Sequence, residues 1–345
     1  MSTHTITALF QEALKRGASD IHLAAGSPVM FRIDGELSPG GENDLTPAQT
    51  LDAVQEVLGA ERYKRLQQDR EIDISFALPG GARVRVNCHY ERGNAGLAAR
   101  LIPLEIPTLE SLELKNIADL VFGFGSGLVL VTGPTGCGKS TTLASFIHAL
   151  NQREACGIVT LEDPIEFLFP KGKGVVRQRE YGLDFLSFPE ALKRVLRQDP
   201  DVVMVGEMRD PETVAAALTL AETGHLILAT LHTPDAAQTV NRIVDVFPPH
   251  QQAQVRSQLS FSLKMVIAQE LLPSAKGGRI ALREVLVSTP AVSNTIREGR
   301  TQELGSVMQT GEAAGMITFT KAAKQLFKDG KITKEVFEVA ARPFR

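Results

Sequence analysis

An α/β architecture, a largely parallel sheet wrapped by helices and preceded by a small α+β domain, is what this sequence predicts, on three observations. A length of 345 residues, at roughly 150 per domain, implies about two domains. Four short apolar runs, Leu128 to Val131, Ile158 to Leu161, Val202 to Val205 and Leu226 to Ala229, stand far enough apart to hold a helix between them; this is the pattern of buried parallel strands joined by crossover helices. Earlier in the chain, Ala82 to Tyr90 alternates, with Val84, Val86, Cys88 and Tyr90 on one side and Arg83, Arg85, Asn87 and His89 on the other. That is a strand with one wet face.

Taken in order, Ile6, Leu9, Phe10 and Leu14 fall at helical spacing and predict a helix over 5–16, ended at Gly17. A second helix starts at Thr46-Pro47-Ala48-Gln49, where Thr46 can cap, Pro47 suits the first helical position and Gln49 can reach back to the cap amide. Leu51, Val54 and Leu58 supply its apolar face. The alternating strand is followed by another over Leu97 to Ile102, which contains Arg100. Two prolines and mixed polarity over Pro103 to Glu113 mark a linker. The expected division is a small domain over 1–103, a linker over 104–112 and a larger domain over 113–345. Beyond Leu271 the pattern is mostly helical, with Ala322, Ala323, Leu326 and Phe327 on one face and Gly330 as a stop, so a helical segment is expected over about 272–345.

Composition narrows the function. Thirty-seven Lys and Arg against 40 Asp and Glu leave a net charge of -3, with no overall pull toward nucleic acid or anionic lipid. No run approaches the ~18 apolar residues of a membrane span, and the start, MSTHTITALFQEALKRG, lacks the features of a signal peptide. A cytoplasmic protein without membrane insertion is expected. Cys88, Cys137 and Cys156 are scattered singly, which argues against a disulfide framework or a zinc knuckle.

The strongest chemical signal is Gly133-Pro134-Thr135-Gly136-Cys137-Gly138-Lys139-Ser140, which matches G-x-x-x-x-G-K-[ST] at every fixed position. A strand-like run, Gly127 to Thr132, leads into it, and Leu143, Phe146, Ile147 and Leu150 form the stripe of a helix leaving it. In such a loop glycines let backbone amides curl around phosphate oxygens, Lys139 reaches the terminal phosphates, and Ser140, followed by Thr141, opens the helix with a hydroxyl able to ligate Mg²⁺. ATP with Mg²⁺ is therefore the expected ligand. Asp201 to Glu207 reads as an apolar strand ending in a glycine and an acid, which places Glu207 at the carboxyl edge of the sheet as a second Mg²⁺ partner, in part through water.

Glu162-Asp163-Pro164-Ile165-Glu166 sets three carboxylates within five residues. Such a cluster either orients a water for attack on phosphate or is a solvated acidic turn. His225 and His232 bracket the run Leu226 to Leu231. Seven residues apart on a strand they lie about 20 Å from end to end, so they cannot share one metal ion without a turn. Roles as phosphate sensors or as packed structural histidines both remain open.

The ordered set of P-loop, T-L-E-D-P-I-E-F (Thr160 to Phe167), D-P-D-V-V-M-V-G-E-M-R-D (Asp199 to Asp210) and T-G-H-L-I-L-A-T-L-H-T (Thr223 to Thr233) resembles the secretion ATPase superfamily. Within it the sequence is most similar to the PilT-type retraction ATPases of bacterial type IV pili, over nearly the whole chain, including A-S-D-I-H-L (Ala18 to Leu23) and R-I-D-G-E-L (Arg32 to Leu37). The resemblance implies a PAS-like small domain before a RecA-like P-loop ATPase domain, assembled as a homo-hexamer that powers pilus retraction and twitching motility. It implies that Glu162 polarises the attacking water, with Asp163 and Glu166 supporting it. Glu207 acts through Mg²⁺, His225 and His232 report on the γ-phosphate, and Arg85 and Arg100 are arginine fingers. Implied partners are an inner-membrane pilus platform protein, with which the ATPase associates peripherally, and a paralogous ATPase. The family's C-terminal A-I-R-N-L-I-R-E pattern stands here as Ala291-Val-Ser-Asn-Thr-Ile-Arg-Glu298, departing at Ser293 and Thr295.

From the residues alone, Arg85 lies on the polar face of its strand with no assignable cross-strand acid. A guanidinium so placed suits a transferring phosphate, or covers apolar neighbours with its stem. Two rivals are a RecA-like nucleic-acid translocase, disfavoured by the acidic balance, and a non-hydrolysing regulatory paralogue of the ATPases, disfavoured because Lys139, Glu162 and Glu207 are all present.

Overall fold

The computed structural model describes residues 6–33, 35–79, 82–102 and 105–341. The expected boundary at Pro103 and the first linker residue, Leu104, lie outside the described residues. The chain forms two compact units, one of Met1–Glu105 with Glu166–Leu168, the other of Ile106–Ile165 with Phe169–Arg345.

The first unit holds α1 (Ile6–Lys15), β1 (Ala18–Leu23), β2 (Met30–Ile33), β3 (Glu36–Pro39), α2 (Pro47–Asp69), β4 (Glu71–Ala77), β5 (Arg83–Glu91) and β6 (Asn94–Ile102). Its sheet has the order β3-β2-β1-β6-β5-β4, all antiparallel. The expected capping box is present: Thr46 accepts from the Gln49 amide, and the Gln49 side chain accepts from the Thr46 amide. α2 runs on through Gly59, whose φ of 66° breaks the helical path. Phe10, Val54 and Leu66 from the helices meet Ile21, Phe31, Val84, Val86 and Leu97 from the strands in one core. In β5 the alternation is as the sequence reads, with Val84, Val86 and Cys88 buried and Arg85 exposed.

The second unit begins with α3 (Lys115–Gly123), β7 (Gly127–Thr132), α4 (Lys139–Arg153), β8 (Gly157–Glu162), β9 (Val175–Glu180) and α5 (Phe188–Val195). It continues with β10 (Val202–Val205), α6 (Pro211–Glu222), β11 (Leu226–Leu231), α7 (Ala236–Asp245), α8 (Pro249–Ser262), β12 (Leu263–Pro273) and β13 (Arg279–Val287). Helices α9 (Pro290–Arg297), α10 (Leu304–Thr310), α11 (Phe319–Lys328) and α12 (Lys334–Ala340) close it. The sheet order is β13-β12-β7-β11-β10-β8-β9, parallel throughout except for β13, which runs antiparallel to β12. The four apolar runs are the four central strands β7, β11, β10 and β8, almost wholly buried as hydrophobic stretches without alternation should be.

Two expectations need correction. The segment after Leu271 is not helical from its start: β12 extends to Pro273 and β13 adds a full edge strand before the helices begin at Pro290. β13 buries Leu282, Val285, Leu286 and Val287 but interleaves Arg283 and Glu284, and that mixture hid its strand character. β9, Val-Val-Arg-Gln-Arg-Glu, is a polar edge strand and carries little apolar signal. In α11 the buried face is Ala322, Ala323 and Leu326, whereas Phe327 is exposed and stacks on Phe337 at 5.0 Å between ring centres.

Candidate functional site

Because β7 is wholly buried, the chain leaves the sheet at a defined place, the carboxyl end of Thr132. Gly133 follows with φ 137°, and a Cβ there would stand 2.2 Å from the Gln269 carbonyl oxygen and 2.8 Å from Cys137 Sγ; no larger residue fits. Gly138, at φ 88°, is the cap from which α4 starts, so the loop ends on a helix N-terminus, with its positive end of the dipole. Pro134, Thr135, Gly136 and Ser140 are exposed, Thr141 half-buried and Cys137 buried. Lys139 is buried, and its Nζ donates to the carbonyls of Gly133 at 2.8 Å and Pro134 at 3.0 Å. The ammonium thus lies across its own loop, where an incoming anion would meet it.

The parallel register carries the other groups to the same edge. Leu231 is level with Thr132, and Val205 with Leu161, so the P-loop, Glu162, Glu207 and His232 all emerge at the carboxyl ends of adjacent strands. Glu162 is buried, and its Oε1 accepts from Thr160 Oγ1 at 2.6 Å and from Gln178 Nε2 at 3.1 Å. Asp163 follows, exposed. Glu207 accepts from Arg209 at 2.7 Å and lies 3.4 Å from His232 Nε2. Burial pushes its carboxyl upward, but the Arg209 hydrogen bond and the nearby His232 outweigh that and hold it below the ordinary value. Lys139 Nζ is 3.4 Å and Thr135 Oγ1 3.5 Å from His232 Nδ1. An ammonium can only donate, which makes Nδ1 the acceptor and turns the Nε2 hydrogen toward Glu207. Lys139, His232 and Glu207 therefore form one polar chain.

Other expected residues are placed elsewhere. His225 is not brought to the loop: it precedes β11 at the amino edge, where Leu226 is level with Gly127, and its Nδ1 lies 3.2 Å from both Thr223 Oγ1 and the Leu220 carbonyl. His225 and His232 thus stand at opposite edges of the sheet, as their spacing in the sequence implies, and only His232 is beside the loop. Glu166, exposed, belongs to the first unit. Arg85 and Arg100, also in that unit, are level with each other on β5 and β6. Arg85 is level with Ser75 on its other side, but Arg100 is level with Asp20 on β1 and donates to it at 2.8 Å. The Arg100 side chain is 72% exposed all the same, whereas Asp20 is buried, so the arginine reaches its partner from the surface.

Sequence reasoning missed three residues that hold the site. Gln269 on β12, 1% exposed, donates to the Cys137 carbonyl at 2.7 Å and accepts from Thr142 Oγ1 at 3.0 Å, bracing both ends of the loop's turn. The pair Gln269 and Glu270 inside the otherwise apolar run Met265 to Leu272 was the available signal. Arg209 and Gln178 lie in polar stretches that gave none. A magnesium ion on a nucleotide draws most of its ligands from phosphate and water, so one hydroxyl and one carboxylate suffice. Ser140 and Glu207 offer these, although Glu207 is already engaged by Arg209. Among the described residues no group of three or more His, Cys, Asp or Glu could hold a metal by itself.

A strand, a glycine loop and a helix with a buried lysine, with acids and a histidine at the same sheet edge, define an α/β protein built to seat an anion and to do acid–base chemistry beside it. The model of the family described as "Type II/IV secretion system protein" matches residues 2–277, and the chain belongs to that family. It is 45% identical over 330 residues to the type IV pilus retraction ATPase PilT of Pseudomonas aeruginosa, covering 96% of each chain. It is 45% identical over 307 residues to a twitching motility protein of Neisseria gonorrhoeae, covering 89% of this chain and 82% of that one. A crystal structure of the pilus retraction motor PilT with bound ADP superposes with a TM-score of 0.91 at 44% identity, covering 99% of this chain and 98% of that one.

Proposed function

We propose that the protein is a motor ATPase that hydrolyses ATP to power retraction of type IV pili and hence twitching motility. The observation that carries this reading is the convergence of Lys139, Glu162, Glu207 and His232 on one sheet edge around the glycine loop; the full-length similarity to a retraction ATPase supplies the work done. On this reading the larger unit is a RecA-like ATPase domain and the smaller a PAS-like domain. The loop from Gly133 to Ser140, with Thr141 behind it, seats the phosphates of ATP, and Lys139 exchanges its loop carbonyls for phosphate oxygens. Glu162 takes the proton of the attacking water. His232, held between Lys139 and Glu207, registers the γ-phosphate. Mg²⁺, held by Ser140 and through water by Glu207, would neutralise charge on the phosphates.

The subunits assemble as a hexamer in which Arg85 and Arg100 of a neighbouring subunit stabilise the transferring phosphate. Asp163 and Glu166 support the acidic turn. The ring works in the cytoplasm against a platform protein of the inner membrane and beside a paralogous ATPase; no helix among the described residues is long and apolar enough to cross a membrane. The test is phosphate release by purified protein with Mg²⁺ and ATP: turnover is expected, and Lys139→Ala abolishes it. Undiminished turnover in Lys139→Ala overturns the site. Deleting the gene should leave cells with excess pili and no twitching, whereas cells without pili would point to assembly instead of retraction.

A further inference from the structure

β8 and β9 are parallel neighbours with Thr160 level with Gln178 and Glu162 level with Glu180. Residues two apart on a strand share a face, so these four side chains form a small block on one side of the sheet. Within it Thr160, wholly buried, and Gln178 both donate to the same oxygen of Glu162, at 2.6 and 3.1 Å. The Gln178 amide is itself fixed, because its Oε1 accepts from the Phe169 amide at 3.1 Å. This sets which end of the side chain is oxygen and turns its NH₂ toward Glu162. Glu180 makes a parallel clamp further along, accepting from the Ile165 amide at 3.2 Å. The edge strand β9 therefore grips the chain on both sides of the acidic turn.

Resting on the reading of Glu162 as the base, we infer that Thr160 and Gln178 are its positioning residues, fixing one carboxylate oxygen so that the rest of the group faces the attacking water. A carboxylate with free torsion samples many orientations, and small misplacement of a base is costly in rate. Two donors on the charged form also favour its ionised state. The charged groups on flanking elements include Arg177, Arg179 and Glu180 on β9, Asp163 on the same turn, and Glu207 and Arg209 after β10; none of them is altered by the substitutions below.

The experiment is a steady-state ATPase pH profile on the full-length protein for wild type, Thr160→Val, Gln178→Leu and Gln178→Glu, with Glu162→Gln alongside. Thr160→Val keeps shape in a buried strand site and decides the question if Gln178→Leu does not fold. Loss of one charge-assisted donor should lower kcat about tenfold while KM for ATP stays within about twofold, and should move the acid limb of kcat to higher pH. Gln178→Glu should move the limb further, because the new carboxylate repels the charge on Glu162, with activity lost most on the acid side. An unchanged kcat with a raised KM, an unshifted acid limb, or no change in Thr160→Val overturns the inference. If Glu162→Gln itself turns over normally, the assignment of the base has failed instead, whatever the other variants do.

Discussion

Replacing Gln269 by leucine tests how the glycine loop is held. The side chain donates to the Cys137 carbonyl and accepts from Thr142, and leucine does neither while filling nearly the same space. Stripping a partner from a buried polar group costs about 1–3 kcal/mol, so two such groups give about 2–5 kcal/mol, reduced somewhat if the Thr142 hydroxyl turns to a carbonyl of its own helix. Packing is nearly conserved and adds little. At about 2–4 °C per kcal/mol for a large domain, the melting temperature should fall by about 4–20 °C. The chain has no tryptophan, which makes calorimetry or circular dichroism the suitable readout. Nucleotide affinity should fall with it, because the loop loses the brace on Cys137 and Thr142. Gln269→Glu should be as unstable at neutral pH and recover on acidification, when the new carboxyl protonates and can donate. A melting temperature within about 1 °C of wild type together with unchanged nucleotide affinity would refute the reasoning.

Gly133→Ala should abolish nucleotide binding in a protein that is otherwise folded at the first unit, since its Cβ would collide with the Gln269 backbone; equilibrium dialysis with labelled nucleotide reads the loss. At Asp20 burial raises the carboxyl, but hydrogen bonds from Ser19 and Arg100 outweigh it and lower it overall. A lowered acid stabilises above the unfolded carboxylate value of about 3.9 and ceases to as pH falls through its folded value, so Asp20→Asn should flatten the unfolding-midpoint curve in that acid window and leave its shape near neutrality alone. Arg209→Ala removes the strongest partner of Glu207, and the apparent Mg²⁺ concentration for half-maximal ATPase should shift at least threefold. Of the thiols, Cys88 is buried and pushed up to about 12 by burial, so a maleimide at neutral pH should label the half-exposed Cys156 first, as peptide mass analysis would reveal.

The central sheet was legible because β7, β8, β10 and β11 are buried on both faces and their runs are apolar without interruption. The P-loop was legible because Gly133 and Gly138 followed by Lys139 and Ser140, between a strand and a helix, make a spacing with few other uses. Edge strands β9 and β13 were not, since one side of each is unpaired and tolerates arginine and glutamate at alternate places. Residues that act by holding another residue also escaped: Gln269 and Gln178 carry no motif, and only register across strands brings them to Cys137 and Glu162, while Arg209 stands two residues after Glu207 in the run Asp199 to Asp210 with nothing there to mark it as its partner. His225 shows the reverse error. The family resemblance gives it one role with His232, although a spacing of seven residues already sets the two about 20 Å apart, at opposite edges of the sheet. The Asp20–Arg100 pair was invisible as Gln269 was, its partners standing 80 positions apart.

The account stands or falls on whether Glu162 acts on the water and not on the nucleotide. Binding of ATP with Mg²⁺ and single-turnover hydrolysis should be measured on the same Glu162→Gln preparation, the amide keeping the hydrogen-bonding shape of the acid. Affinity should stay within about threefold of wild type while the hydrolysis rate falls at least ~100-fold, the usual contribution of a general base. Hydrolysis within twofold of wild type at unchanged affinity would contradict it.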